Sequence, residues 1–196
     1  MDRLMKFLTD HFNTDEPMAR SIGLQYDDEV NSLMKEIYKE NISILLISDL
    51  TGEIIACRTI AIGKKDEEVD WTKFTNEKLA TIFKFISHKK KEMDVFKRFN
   101  VNTSINFVQL GTNRNYRHQG IASKMMEVAL LFCKELGINP VCVAGEGSTN
   151  YSQRIYEKNG FETLHIIYYD EYKENGEVVF KNMAPHKSTK IYVKQL

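Results

Sequence analysis

The sequence predicts a mixed α/β sheet with helices packed on it, and two patterns carry this prediction. Apolar residues recur at helical spacing in some segments, and they alternate or run continuously in others. Along the chain these segments follow the order αα-ββ-α-β-α-β-α-ββ, which is typical of a sheet covered by helices. No internal repeat or Pro/Gly-rich linker interrupts residues 1–196, so we expect a single domain.

Two amphipathic helices are predicted before the first strand. The apolar face of the first consists of Leu4, Met5, Leu8 and Phe12. Residues 15–17, Asp-Glu-Pro, interrupt this helix, and a short helix is expected to follow as far as Gly23. The second long helix lies within residues 27–41. Residues 43–63 then predict two strands around a turn at Leu50–Gly52.

A Lys-rich region, residues 64–100, separates these strands from the next one. It contains a helical pattern at 79–86, and its HKKKE run at 88–92 is typical of a solvated helix face. The strand at 104–111 changes the phase of its apolar residues at Phe107-Val108. The change indicates either that both faces are buried or that a β-bulge lies there.

The second half of the chain alternates strands with helices. A strong helical stripe begins at Gly120 and ends at Gly137, with Pro140 beyond it. A buried strand at 141–145 and a helix at 149–160 follow. Two strands near the C-terminus are joined by a long excursion that contains residues 176–186.

Composition excludes several classes of partner. Lys plus Arg equal Asp plus Glu at 27 each, so no basic excess points to nucleic acid. No apolar run is long enough for a membrane helix, and the first residues are too charged for a signal peptide. Three cysteines without metal-ligand spacing, Cys57, Cys133 and Cys142, fit a reduced cytoplasmic setting and predict no metal site. We expect a monomer.

The stretch Arg117–Ala122 lies between a strand and a helix start. Free backbone N–H groups and the positive end of the helix dipole favour an anion there. Gly120 and the small Ala122 allow phosphate oxygens to approach the backbone. The alternative is a plain turn from strand to helix. No Gly-Lys-Ser/Thr follows, so a Walker-type nucleotide site is not expected.

The pattern Arg-x-x-Gly-x-Ala at this position resembles the pyrophosphate loop of the GNAT (GCN5-related N-acetyltransferase) family. The resemblance implies acetyl-CoA as co-substrate and the GNAT fold, with a bulge that splays two parallel strands. It also implies two groups of cofactor-binding residues. The group that would pair with the pantetheine arm is Leu110, Gly111 and Thr112. The group that would hold the pyrophosphate is Arg117, His118, Gln119, Gly120, Ile121, Ala122 and Ser123.

A second motif, residues 149–161, resembles the following helix of that family, in which Glu-Lys-x-Gly-Phe ends the helix. Here Thr149 stands where the family commonly has Asn. Three segments, near residues 14–24, 150–161 and 176–186, resemble the insect arylalkylamine N-acetyltransferases in particular. This chain begins at the first helix, whereas the family has a strand before it, so either that strand is lost or the sequence is an incomplete chain.

Acetyl transfer to an amine needs the neutral amine as nucleophile. A primary amine with a pKa near 10.4 is neutral in only about one molecule in 2,500 at pH 7. A general base reduces this difficulty. The resemblance of the Asp-Glu-Pro segment to the insect enzymes implies that Glu16 is this base, with Asp15 the weaker candidate. Without the resemblance, Glu16 is more simply a solvated acid at a helix end.

Protonation of the leaving thiolate has three candidates. Ser148 and Ser152 are four residues apart and share a face if the helix begins by Ser148; the resemblance implies serines near the thioester. Ser148 is alternatively an N-cap. Tyr156 is four residues further on. Many family members use a tyrosine at this position to protonate the thiolate. Alternatively, Tyr156 is a packed aromatic residue.

The function expected from the resemblance is direct transfer of acetyl from acetyl-CoA to a small arylalkylamine in a ternary complex. A polyamine or another aliphatic amine is the alternative acceptor, and an acyl-CoA-binding module without turnover is the alternative from another class. We expect His118 to face solvent or phosphate. His186 either lines the amine pocket or is an ordinary loop residue.

Overall fold

A computed structural model describes residues 1–67, 74–87, 93–138 and 142–196. The run at 88–92 predicted to be a solvated face, and Pro140, lie outside these residues. The helices are α1 (Asp2–Leu8), α2 (Pro17–Ile22), α3 (Asp28–Ile37), α4 (Glu77–Ser87), α5 (Val95–Phe99), α6 (Ile121–Glu135) and α7 (Asn150–Lys158). The strands are β1 (Ile44–Ile47), β2 (Ile54–Lys64), β3 (Thr103–Thr112), β4 (Cys142–Gly147), β5 (Glu162–Tyr168), β6 (Lys173–Glu174), β7 (Glu177–Val178) and β8 (Ser188–Gln195).

Six strands form one mixed sheet in the order β1-β2-β3-β4-β8-β5. All neighbouring pairs are antiparallel except β3 and β4, which are parallel. The predicted mixed sheet with a central parallel pair is therefore confirmed. The excursion before the last strand forms a small hairpin of its own, β6 with β7.

The N-terminal helix departs from the predicted form at its end. After α1 the chain continues as a π-helical segment, Thr9–Asn13, which carries the helix further than α1 alone. Three of the four predicted apolar residues of the first helix, Leu4, Met5 and Leu8, are buried, and Phe12 packs against the same cluster. No helix in the described ranges is long and apolar enough to cross a membrane.

Strands β3 and β4 pair over only three residues and then separate. The pairing ends at Phe107 and Gly145, although β3 continues to Thr112 and β4 to Gly147. In the pairing of β3 with β2, Thr59 lies opposite Gln109 and Ile60 opposite Phe107, so Val108 is an extra residue. The phase change in the sequence is therefore a β-bulge, and a bulge bends its strand away from a straight course. We call the gap beyond Phe107 and Gly145 the splay.

Two apolar clusters cover the two faces of the sheet. The first combines sheet residues such as Cys57 and Ile191 with residues of α1 to α4. The second combines Ile60, Phe107 and Tyr192 with residues of α6 and α7. The splay lies between these two layers, so a group bound in it is reachable from the helices on either face.

Candidate active site

The loop between β3 and α6 ends in a helix N-terminus that no side chain caps. Gly120 is the N-cap residue and has a φ of 75°, in the left-handed region that favours glycine. A Cβ atom built there would meet no atom within 4 Å, so the space beside the N-cap residue is open. The free N–H groups of a first helical turn suit an anion.

Arg117 belongs to the same loop, but its guanidinium points back to the N-terminal segment. Nη1 donates to Asp15 Oδ2 (2.7 Å), Nη2 to the His11 carbonyl (2.6 Å) and Nε to the Thr112 carbonyl (3.2 Å). Each guanidinium nitrogen therefore has a partner within the protein. In this arrangement Arg117 fixes the loop to the segment before α2, and its contact with a pyrophosphate stays a prediction. His118 is exposed, as expected.

Asp15, the carboxylate that pairs with Arg117, also pairs with a second arginine. Arg114 Nη2 donates to Asp15 Oδ1 at 2.9 Å, and Arg114 Nε donates to Oδ2 at 3.3 Å, the oxygen that Arg117 also contacts. Burial raises the pKa of Asp15, but the two guanidinium groups outweigh burial and hold the pKa below its ordinary value. Asp15 therefore joins the loop to the N-terminal segment, and both of its oxygens are occupied.

Glu16, the next residue, has the opposite environment. It is the N-cap of α2, and its Oε2 accepts the Ala19 N–H at 2.7 Å, while its Oε1 is buried without a hydrogen-bond partner. Its exposed fraction is 9%, so the prediction of a solvated acid at a helix end is wrong. Burial raises the pKa of Glu16 above its ordinary value, against the opposing effects of the Ala19 N–H and the Ser148 hydroxyl. A carboxylate with a raised pKa is a stronger base.

Two tyrosines lie close enough to Glu16 to respond to its charge. Burial raises the pKa of Tyr26 and of Tyr169, and the Glu16 carboxylate raises both further. The Tyr169 hydroxyl donates to the Ser148 carbonyl at 2.7 Å and pairs with the Thr189 hydroxyl at 2.8 Å. Glu16 thus lies among aromatic rings whose hydroxyl groups remain protonated.

Ser148 and Ser152 do not lie together on one face of α7. The N-cap of α7 is Thr149, so Ser148 precedes the helix, and the alternative of Ser148 as the N-cap is wrong. Ser152 is held at the helix start: its Oγ accepts the Thr149 N–H (3.2 Å), and its N–H donates to Thr149 Oγ1 (3.0 Å). Ser148 is the serine beside Glu16, and Ser152 completes the capping box.

Tyr156 is buried on the other face of the sheet, with an exposed fraction of 2%. Its ring stacks on Tyr192, with the ring centres 4.6 Å apart. Its hydroxyl lies against Gly145, where an added Cβ would collide with it, and it accepts a hydrogen bond from Arg58 Nη2 at 3.1 Å. Arg58 was missed by the sequence analysis, although one arginine inside the apolar strand sequence of β2 is a signal for it.

His186 contacts the N-terminal end of α7, whereas Tyr156 lies further along the helix. Its Nδ1 accepts the Asn150 N–H at 3.2 Å, and its ring meets Tyr151 edge to face. Burial lowers the pKa of His186, which favours the neutral ring that this hydrogen bond needs. The described contacts of His186 are thus those of a residue that holds the start of α7.

The site therefore has two sides separated by the splay. Glu16 is flanked by Met18 and Ala19, which belong to the cluster under α1 to α4, whereas Tyr156 belongs to the cluster under α6 and α7. An acceptor for a proton lies on one side, and a hydroxyl donor lies on the other.

A family model now accounts for the central part of this arrangement. Residues 85–163 match the model described as an acetyltransferase (GNAT) domain. This part of the chain is therefore similar to a GNAT acetyltransferase domain. The matched range runs from the end of α4 to the start of β5 and includes the bulge, the loop before α6, and α7.

Solved structures extend the GNAT likeness over the whole chain. Arylalkylamine N-acetyltransferase 2 from Aedes aegypti is 25% identical, with 99% of this chain and 93% of that chain covered and a TM-score of 0.90. A polyamine N-acetyltransferase from Drosophila melanogaster, which forms N-acetylagmatine, is 20% identical over 100% and 94%, with a TM-score of 0.86. NAA60 from Arabidopsis thaliana in complex with acetyl-CoA is 14% identical over 100% and 92%, with a TM-score of 0.51.

These findings confirm the GNAT resemblance, the fold and the class of enzyme, an acyltransferase, and acetyl-CoA is the co-substrate of this family. The roles of the individual residues stay predictions. In the part of the chain that the structure describes, no three His, Cys, Asp or Glu side chains are grouped to hold a metal ion.

The burial of Glu16 makes a prediction about stability. Because its folded-state pKa lies above the ordinary 4.5, the stabilisation by its bound proton is complete below that pH and is lost as pH rises through the folded pKa. Glu16→Gln keeps an acceptor for the Ala19 N–H without the charge. We expect its melting temperature to match wild type in acid and to exceed it increasingly toward neutral pH.

The control is Glu135→Gln, which removes a carboxylate from the exposed face of α6. It should follow wild type at every pH. Thermal unfolding of the three proteins across the acid-to-neutral range is the measurement. A neutral-pH melting temperature for Glu16→Gln below that of wild type would show that the buried charge is compensated.

Proposed function

We propose that this GNAT protein transfers the acetyl group of acetyl-CoA to the primary amine of a small arylalkylamine, directly and in a ternary complex. The observation that carries the proposal is the splay, with an uncapped helix N-terminus beside it and a buried, unpaired carboxylate oxygen at Glu16. Since three free and buried cysteines suit a reducing compartment, we also propose a cytoplasmic setting.

The cofactor end of the proposal uses backbone rather than side-chain groups. The open N–H groups after Gly120 would hold the pyrophosphate, and the unpaired part of β3, Leu110 to Thr112, would bind the pantetheine arm. Acetyl-CoA supplies the activated acyl group as a thioester. Arg117, through Asp15, would keep the loop in place for binding.

The chemistry at the splay balances with the residues at hand. The ammonium first loses one proton to solvent, and Glu16 then takes a second proton from the amine nitrogen as this nitrogen forms a bond to the carbonyl carbon. The carbon–sulfur bond then breaks, and the departing thiolate takes a proton from an acid on the other side of the splay. Tyr156 is the better placed acid, because the Ser152 hydroxyl is engaged in the capping box of α7.

The surroundings of Glu16 support an aromatic monoamine as acceptor. Tyr26 and Tyr169 lie near the carboxylate, and aromatic rings pack favourably with another ring. A second cation on a polyamine would need a second free carboxylate. The neighbouring one, Asp15, is already paired with two arginines.

The relatives include enzymes for both acceptor classes, so an amine panel tests the proposal. Release of the CoA thiol is measured with arylalkylamines and with polyamines of matched concentration. We expect turnover with both, with the larger kcat/KM for arylalkylamines. A larger kcat/KM for polyamines would show that the acceptor is an aliphatic amine. Binding of acetyl-CoA without turnover would show that the protein is a binding module.

Gly120 tests the pyrophosphate site. Gly120→Glu adds bulk and negative charge to the open helix start, so we expect CoA binding to be abolished in calorimetric titration. Gly137→Glu is the matched control, because Gly137 follows the other end of α6, also has a positive φ, and also faces open space. Equal affinity of folded Gly120→Glu and Gly137→Glu for CoA would contradict the pyrophosphate assignment.

Glu16 tests the base. With acetyl-CoA saturating, Glu16→Gln should lower kcat by roughly a hundredfold at neutral pH, the low end of general-base effects. The loss should shrink as pH rises, because solvent then supplies more neutral amine. A higher KM with kcat retained would instead assign Glu16 to ammonium binding alone. Glu135→Gln is again the control, and wild-type kcat in Glu16→Gln at all pH values would remove Glu16 from the mechanism.

A further inference from the structure

Arg58 has no role in the function proposed so far, and its position is unusual. It lies in the middle of β2 between two buried residues, Cys57 and Thr59, and its own exposed fraction is 2%. Arginine side chains are almost never buried this completely unless they are paired. The structure should therefore contain a reason for this charge.

The usual reason, an ion pair, is not found. In the described ranges no carboxylate lies within ion-pair distance of Arg58, and its Nε is buried without a hydrogen-bond partner. The guanidinium lies over the ring of Phe107, 4.2 Å from its centre, and Nη2 also meets the Met126 sulfur at 3.6 Å. A leucine or methionine would fill such a site without the cost of burying a charge.

The polar contact that Arg58 makes is with the Tyr156 hydroxyl, at 3.1 Å from Nη2. That hydroxyl lies against Gly145, and Gly145 pairs with Phe107 in the last residue pair before the strands separate. The Arg58 guanidinium packs on Phe107 of the same pair. The buried charge is thus directed at one oxygen atom at the beginning of the splay.

We propose that Arg58 is a positioning residue that prepares Tyr156 to protonate the leaving thiolate, an inference that rests on the proposed acetyl transfer. An arginine only donates hydrogen bonds, so its N–H occupies a lone pair of the Tyr156 oxygen and leaves the phenolic proton free for another partner. When the carbon–sulfur bond breaks, that proton moves to the CoA sulfur. The guanidinium then stabilises the phenolate, which recovers a proton from solvent before the next turnover.

The electrostatics agree with this geometry. Burial has the largest effect and raises the pKa of Tyr156, and the Glu146 charge acts in the same direction, whereas the Arg58 charge and hydrogen bond lower it. Without Arg58 the phenol would be a still weaker acid. The Arg58 charge and hydrogen bond therefore make the Tyr156 hydroxyl a stronger acid than burial alone would leave it.

A double-mutant cycle on kcat tests the inference. Arg58→Met keeps an unbranched apolar stem and removes the charge, and Tyr156→Phe removes the acid. We expect each to lower kcat roughly tenfold or more, as for lost acid help, and the double variant to be no slower than the slower single variant, because Arg58 acts through Tyr156. The KM values for amine and acetyl-CoA should stay within about twofold of wild type.

Two further variants keep the cycle decisive. Arg58→Lys retains a positive donor, so it should keep more kcat than Arg58→Met, and it carries the test if Arg58→Met does not fold. Tyr192→Phe removes the hydroxyl of the ring stacked on Tyr156. Because Arg58 does not act through Tyr192, the fold losses in kcat of Tyr192→Phe and Arg58→Met should multiply in the double variant.

Three results would overturn the inference. They are wild-type kcat in folded Arg58→Lys and Arg58→Met, multiplied losses in the Arg58–Tyr156 double variant, and a large rise in the KM for acetyl-CoA with kcat retained, which would make Arg58 a binding residue. All three require wild-type turnover, so they leave the proposed function in place. A wild type that binds acetyl-CoA but acetylates no amine would overturn the proposed function and this inference together.

Discussion

One extra residue in β3 is the constraint on which the rest of this structure depends. Val108 has no partner in β2, and the β-bulge that it forms lies directly after the last residue pair between β3 and β4. A parallel pair normally continues its hydrogen bonds along both strands. Here the bulge redirects β3, and the backbone beyond it no longer pairs with β4.

In the proposed function, the base and the acid lie on opposite faces of the sheet. Phe107 packs with α6 and α7, whereas Val108, its neighbour in sequence, packs with the cluster under α1 to α4. The residues on either side of the splay therefore come from different layers. A base and an acid held in separate environments can keep different pKa values, and this separation is what acid–base catalysis near neutral pH requires.

Asp15 and Glu16 show how far adjacent carboxylates can be driven apart. Asp15 lies between two guanidinium groups, which hold its pKa low, and it serves to connect the loop with the N-terminal segment. Glu16 turns into the protein as the cap of α2, and burial raises its pKa. The proline that follows them fits because it occupies the first position of α2.

The sequence was sufficient for the main helices and strands, but not for the short helix α5, the β6–β7 hairpin or the directions of side chains. Helical spacing and Gly120 predicted α6 and its start because these signals are local, and the phase change at Phe107 left a bulge as one of two explanations. The helix cap at Thr149 rather than Ser148 depends on one residue of register, which periodicity does not resolve. The guanidinium of Arg117 turns toward Asp15, 102 residues away, and a contact at that separation has no local signal.

The central claim is that the splay receives the cofactor, and a crystal structure of the protein with CoA tests it most directly. The account predicts the pyrophosphate on the backbone N–H groups that follow Gly120, the pantetheine arm along Leu110 to Thr112, and the sulfur between Glu16 and Tyr156. A CoA molecule bound elsewhere, with β3 and β4 closed over the splay, would contradict it.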